Sequence, residues 1–246
     1  MTSNSNFSFV KNTAISLELP FSEHIDELKQ RFYLLFWGIL LLTSLAFLEV
    51  KTIVKILEHP ILEVKFFQNS PGEYFISTIK IAFYTGFLFI SPFGTSQLIL
   101  YLLPGLTKKE TKIILPLIVA SIILFISGII FSYYTLIPTA LNFFLNYGEQ
   151  IIEPFWSFDQ YFEFVLVLFY STGFAFQIPI VQILFGLTNI ISGSQMLKSW
   201  KYIVLITTII AAILTPSIDP LTQILLSSAI LGLYFIGLGI LFLLKN

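Results

Sequence analysis

Few residues in this chain could do chemistry, and the first group of them lies close together. In Leu19-Pro-Phe-Ser-Glu-His-Ile-Asp-Glu-Leu-Lys-Gln-Arg31 a helical period puts His24, Glu27 and Arg31 on one face, with Ile25, Leu28 and Phe32 on the membrane-facing side. Ser22 suits the N-cap and Glu23 the first turn of such a helix. By spacing alone this is an anchoring helix whose Glu27 and Arg31 pair at i,i+4, an interaction worth about 0.2–0.5 kcal/mol. A second polar feature is Gln177, in Phe-Ala-Phe-Gln-Ile-Pro, because a buried amide without a partner is costly and must face protein or a water-filled groove. Glu73, seven residues before Lys80 on the same helix face, is expected to help Gln177 shape a polar, water-accessible hollow. The alternative for Gln177 is a satisfied interhelical hydrogen bond. Other chemistries fall away. There is no cysteine, which removes disulfides, thiolate zinc sites and thiol catalysis. The two histidines, His24 and His59, both lie outside the apolar runs, so no histidine-ligated haem or metal is expected in a membrane. GxSxG, HExxH and Walker patterns are missing, and neither catalysis nor a cofactor is expected.

The elements that must position these residues are membrane helices. Six nearly uncharged stretches, at about 32–48, 81–103, 113–137, 164–187, 200–214 and 224–244, punctuate a chain of 246 residues. A helix needs about 20 apolar residues to cross a hydrocarbon core. The fifth stretch has only 13 strictly apolar-run residues, Tyr202–Leu214, and is expected to cross by locally thinning the bilayer. Mean hydropathy is +0.88. Charged residues make up 11%, against about 25% in a water-soluble domain. The expectation is one all-α polytopic membrane domain over residues 1–246, with a flexible tail at 1–18 and an amphipathic helix at 19–31. A net charge of −1 offers nothing to nucleic acid.

Lysine and arginine set the orientation. Lys11, Lys29, Arg31, Lys108, Lys109, Lys112, Lys198, Lys201 and Lys245 fall on one side, and only Lys51, Lys55 and Lys65 on the other. Positive charge stays on the cytoplasmic side, so both termini are expected there or on its organellar equivalent. The opposite side carries acids (Glu149, Glu153, Asp159, Glu163) among Phe143, Phe144, Phe155, Trp156, Phe158, Tyr161 and Phe162, read as interfacial anchors. Within the spans, Ser121, Gly128 and Ser132 share a face, and Gly232, Gly237 and Gly239 thin the last span for close packing. Pro92, Pro116 and Pro179 are expected to interrupt and kink their helices. No cleaved secretory signal or transit segment is expected at the N-terminus.

His24-Ile-Asp-Glu27-Leu-Lys29-Gln-Arg31 resembles the H-L-x-E-L-R-x-R signature of the TatC family, the polytopic core of the twin-arginine protein translocase. The resemblance continues through Leu103-Pro-Gly-Leu-Thr-Lys-Lys-Glu110, Phe125-Ile-Ser-Gly-Ile-Ile-Phe-Ser-Tyr133 with Pro138, Gly173-Phe-Ala-Phe-Gln-Ile-Pro-Ile-Val181 and Leu214-Thr-Pro-Ser-Ile-Asp-Pro-Leu-Thr-Gln223. It implies six transmembrane helices, the fifth and sixth short, and a binding and translocation role rather than catalysis. It implies that Glu27 and Glu110 receive the two arginines of a signal peptide, with His24, Lys29, Arg31, Tyr101 and Lys108 around them. It also marks Pro216, Asp219 and Gln223 in a turn on the far side. The implied partners are twin-arginine signal peptides of folded precursors, single-span subunits of the TatA/TatB type, further copies of the chain and the lipid bilayer, with transport driven by the proton-motive force. Lys29 stands where the family signature has arginine, and Gln177 where bacterial members commonly have glutamate. Gln177 and the far-side turn together resemble the cyanobacterial and plastid branch, so a thylakoid membrane is expected, the alternative being a bacterial cytoplasmic membrane. A small-solute transporter is the rival reading. It would need midplane charges and a repeated half, neither of which is evident.

Overall fold

The structure, a computed structural model, describes residues 21–61, 65–101, 111–148, 155–188, 190–216 and 219–245. The expected tail at 1–18 and the segment holding Lys108 and Glu110 lie outside the described residues. The helices are α1 (Phe21–Leu48), α2 (Val50–Glu58), α3 (Glu73–Tyr101), α4 (Thr111–Phe131), α5 (Ile137–Gly148), α6 (Phe158–Ala175), α7 (Ile178–Leu187), α8 (Gly193–Lys198), α9 (Trp200–Leu214) and α10 (Pro220–Lys245). A π-helical turn, Ser132–Leu136, joins α4 to α5 without a break. Among the described residues, five helical runs are long and apolar enough to cross a membrane: Ile25–Leu48, Glu73–Tyr101, Ile114–Tyr147, Phe158–Leu187 and Pro220–Leu244. Helix α9, with 15 residues, is a shorter apolar helix.

Several boundaries move from their expected places, each for a local polar reason. The amphipathic segment and first span are a single helix, α1, of 28 residues. Helix α3 begins at Glu73 rather than residue 81, because the Glu73 carboxylate accepts the backbone N–H groups of Asn69 and Ser70 ahead of the helix. The polar first turns of α3 then satisfy themselves. Ser77 Oγ donates to the Glu73 carbonyl at 2.8 Å, and Lys80 Nζ binds both Asp159 oxygens at 3.0 and 2.8 Å. Asp159 likewise belongs to a helix, α6, that starts six residues before the expected 164. The last helix is not short. It has 26 residues and starts at Pro220, where buried Asp219 accepts the Thr222 backbone N–H at 2.7 Å in the manner of an N-cap. Of the three prolines, only Pro179 sits at a break. Phe176 and Gln177 form a turn between α6 and α7, while α3 and α4 run on through Pro92 and Pro116.

Side-chain contacts fix the directions of neighbouring helices. Leu35 meets Gly94, Gly38 meets Ile90 and Thr43 meets Gly86, so α1 and α3 are antiparallel. Ser121 pairs with Gln177 and Phe125 packs on Gly173, which makes α4 antiparallel to the α6–α7 run. The end of the bundle where α1 begins is thus also where α3 ends. At the opposite end, Lys65–Phe67 pairs in parallel with Phe155–Ser157, in register Lys65 to Phe155. These two three-residue strands are the departure from an all-α fold, and they are too short to leave a period in the sequence. Beneath them Phe66, Phe158, Tyr161 and Phe162 pack in tilted and edge-to-face pairs at centroid distances of 4.4–6.1 Å within a buried core. Phe158, Tyr161 and Phe162 are among the aromatics expected as interfacial anchors. The strand pair roofs them over instead, leaving Phe144 and Phe155 exposed. Helix α2 is clamped beside this core, its last carbonyls accepting hydroxyls from Tyr133 (to Ile56, 3.0 Å) and Tyr161 (to Leu57, 2.7 Å).

Candidate functional site

The ionic face read from the sequence lies where α1 begins and α3 ends. Arg31 donates from Nε at 3.1 Å and from Nη2 at 2.5 Å to the same oxygen of Glu27, Oε1. Its remaining arm, Nη1, donates to Gln97 Oε1 on α3 at 2.6 Å and toward the Gln97 carbonyl at 3.4 Å. The Arg31 and Glu27 side chains keep 21% and 31% of their surface, so this pair is partly shielded from water. Charge-assisted bonds of this kind are about twice as strong as neutral ones. Lys29 pairs outward with Asp26 at 3.1 Å, both side chains being mostly exposed, an arrangement worth about 0–1 kcal/mol. Beside the cluster runs an open groove of about 450 Å³ between α1 and α3, walled by Ile25, Leu28, Phe32, Leu35 and Leu98 and edged by Lys29, Arg31, Gln97 and Tyr101. Glu27, Lys29, Arg31 and Tyr101 are therefore brought to one place. Of His24 only its position on α1 is described, and Lys108 and Glu110 are outside the described residues.

Glu73 and Gln177 do not share a hollow. Gln177 is 6% exposed and sealed between helices: its Oε1 accepts from Ser121 Oγ at 2.7 Å and its Nε2 donates to the Ser121 carbonyl at 2.9 Å. Ser121 Oγ also lies 3.3 Å from Thr95 Oγ1, 22 residues along α3 from Glu73, a rise of about 33 Å. Glu73 works at the far end, accepting Ser157 Oγ at 2.9 Å and thereby tying the two strand-bearing loops together. An interhelical hydrogen bond is the better solution for Gln177, because Ser121 supplies both a donor and a carbonyl to one amide. In the far-side turn, Asp219 caps α10, Pro216 is exposed and Gln223 is partly buried on the first turn of α10.

Sequence reasoning missed Gln97 and Gln182. Gln97 supplies the second seat for Arg31, and its signal was available as an amide inside an otherwise apolar span. Gln182 is 5% exposed with neither amide atom partnered among the described residues. Its signal was the same, but nothing in the sequence says which of three amides finds a partner. No group of three or more histidine, cysteine or carboxylate residues poised for a metal occurs among the described residues.

Comparison with known proteins agrees with this architecture. Residues 23–228 match the family model described as TatC, Sec-independent protein translocase protein. A tatC-like protein, ycf43, of Trieres chinensis is 69% identical over 246 residues, covering 100% of this chain and 94% of that protein. The Sec-independent protein translocase protein TatC of Synechocystis is 48% identical, covering 91% and 88%. The chloroplastic TATC of Pisum sativum is 46% identical, covering 89% of this chain and 63% of that one. A crystal structure of a twin arginine translocase receptor, TatC, superposes with a TM-score of 0.78 at 33% identity, covering 88% of this chain and 98% of the other. With most of its length matched by the family model and its helices laid out as in a solved member, this chain belongs to the TatC family of Sec-independent protein translocase proteins.

Proposed function

We propose that this chain is the membrane core of a twin-arginine translocase and binds the arginine pair of a signal peptide through Glu27 and Glu110. The observation that carries this reading is the state of Glu27. Its carboxylate already holds an arginine fork at the mouth of an apolar groove, which is the chemistry a cargo arginine followed by an apolar segment would need. Glu110 immediately precedes α4 in the sequence, and the first turns of α4 pack near the end of α3, which supports reading Glu110 as the second acceptor. The membrane is crossed six times, with α9 as a short span rising about 22 Å, and both termini on the stromal or cytoplasmic side. A thylakoid location fits the cyanobacterial and chloroplast relatives. Single-span subunits and further copies of the chain assemble on its lipid-facing helices, and the proton-motive force drives transport.

Site-specific crosslinking tests the site. A photo-reactive group on a twin-arginine precursor, beside its arginines, is expected to label positions flanking Glu27 and Glu110. Losing one partner of a partly desolvated arginine–carboxylate pair costs about 2–5 kcal/mol. Glu27→Ala and Glu110→Ala are therefore expected to weaken precursor binding roughly 30-fold or more in detergent, with helix content unchanged. Parental affinity in both variants would return these glutamates to an anchoring role.

A further inference from the structure

We propose that the groove between α4, α7 and α10 holds one acyl chain of an anionic glycerolipid, whose headgroup sits on the lysines at the groove's mouth. Helix α7 forms its floor. Helix α10 packs on α7 where Gly237 meets Pro179 and Gly186 meets Leu241, and α4 packs on it through Ile114 and Leu117. Between α4 and α10 an open cavity of about 350 Å³ remains. One wall is the stripe Pro116, Ala120 and Ile123 of α4, and the other is Ile236, Ile240 and Leu244 of α10. Each set recurs at helical spacing, so each stripe runs along its helix.

The dimensions select the occupant. On α10 the lining runs from Leu233 to Leu244, a rise of about 16 Å, which is half of a hydrocarbon core about 30 Å thick. Spread over that length, the volume leaves a cross-section of about 22 Å². A helix about 10 Å across fills about 80 Å². A partner's transmembrane helix therefore cannot seat in the groove, whereas a single hydrocarbon chain can. The lining is aliphatic throughout, which suits a flexible chain with nothing to hydrogen-bond.

Charge at the mouth selects the headgroup. The groove reaches the end of the bundle where α4 begins and α10 ends. Lys112 stands in the first turn of α4, four positions before Pro116, and Lys245 directly follows Leu244. Exposed Lys198 and Lys201 lie on α8 and α9 at the same end, where Gly193 of α8 packs on Phe242. Residues 111–148, 178–188 and 193–246 contain one acidic side chain, Asp219, and it caps α10 at the opposite end. Glu110, just ahead of Lys112, is the acceptor proposed above for a cargo arginine. Orientation in the membrane accounts for lysines on this side, and lipid contact for apolar walls. Their meeting on one three-sided groove is the observation that carries the proposal.

The test titrates the full-length protein in detergent with phosphatidylglycerol or with phosphatidylcholine of identical acyl chains, and counts bound lipid by native mass spectrometry. Phosphatidylglycerol is expected to bind roughly 30-fold more tightly, the scale of two lysines at a membrane surface. Lys112→Gln combined with Lys245→Gln is expected to bring the two lipids close together. Ala120→Phe plugs the groove from its α4 wall and is expected to weaken both lipids roughly tenfold, the scale of about two methylenes denied burial, while the headgroup preference survives. Ala120→Leu, a smaller plug, is expected to weaken both by less, which covers the case in which phenylalanine disturbs the packing. Equal binding of the two lipids by the parent, or an unaltered preference in the double glutamine variant, overturns the headgroup assignment. Parental phosphatidylglycerol affinity in both Ala120 variants overturns the groove as the seat of the chain. A photo-reactive residue replacing Ile240, in phosphatidylglycerol vesicles, is expected to capture lipid. Capture of a second copy of this chain instead makes the groove a self-association surface and overturns the proposal.

Discussion

Gln177 and Gln182 stand five residues apart in the chain and meet opposite fates. The first spends both ends of its amide on Ser121; the second is pressed against Gly237, where a Cβ would come within 2.8 Å of its Oε1. A buried group that loses its partner costs about 1–3 kcal/mol, whereas replacing an unsatisfied polar group by an apolar one of similar shape is neutral or stabilising. Gln177→Leu is thus expected to lower the melting temperature in detergent by several degrees, and Gln182→Leu to leave it level or raise it. Equal losses in the two variants would refute this division of roles. That an amide in an apolar span must face protein was legible from its residue type. Its partner was not, because Ser121 lies 56 positions away and only helix packing selects it.

At the scale of the element, α1 is held almost wholly by α3, and the tightest point of that crossing is a glycine. A Cβ built at Gly86 would lie 2.5 Å from the Thr43 backbone nitrogen, and backbone cannot give way as a side-chain tip can. Gly86→Leu is expected to lever α1 from α3. A thiol-specific crosslinker between cysteines placed at Leu35 and Gly94, where an added Cβ at Gly94 would lie 3.6 Å from Leu35 Cδ2, should then lose its yield in this cysteine-free chain. Undiminished crosslinking in the leucine variant would show that the crossing tolerates a side chain there. The sequence flagged Gly128, Gly232, Gly237 and Gly239 for close packing, yet Gly232 and Gly239 have open space around them, and Gly38, Gly86, Gly173 and Gly186 are the tight ones missed. Small residues mark where helices can approach; which of them do approach depends on the facing helix.

For the whole molecule, the lysine asymmetry and the alternating helix directions lead to one expected result. Cysteines introduced singly at position 246 and near Lys11 should react with an impermeant thiol reagent from one side, and cysteines in the Glu149–Asp159 loop from the other. Labelling of position 246 together with that loop would remove the sixth crossing and place α9 within one leaflet.

Sequence alone determined the membrane class, the approximate places of the six apolar helices and the residue types of the ionic cluster on α1. All of these follow from local facts: run length against bilayer thickness, charge between runs, and helical spacing. Tertiary structure alone decided that Gln97 steadies the arginine held by Glu27, and that Glu73 and Gln177 work about 33 Å apart. It also decided that Phe158, Tyr161 and Phe162 at the start of α6 join a buried core, while Phe144 and Phe155 stay exposed. Each of these depends on a partner distant in sequence, and a partner's position is set only when helices from separate stretches of chain choose their neighbours and their register.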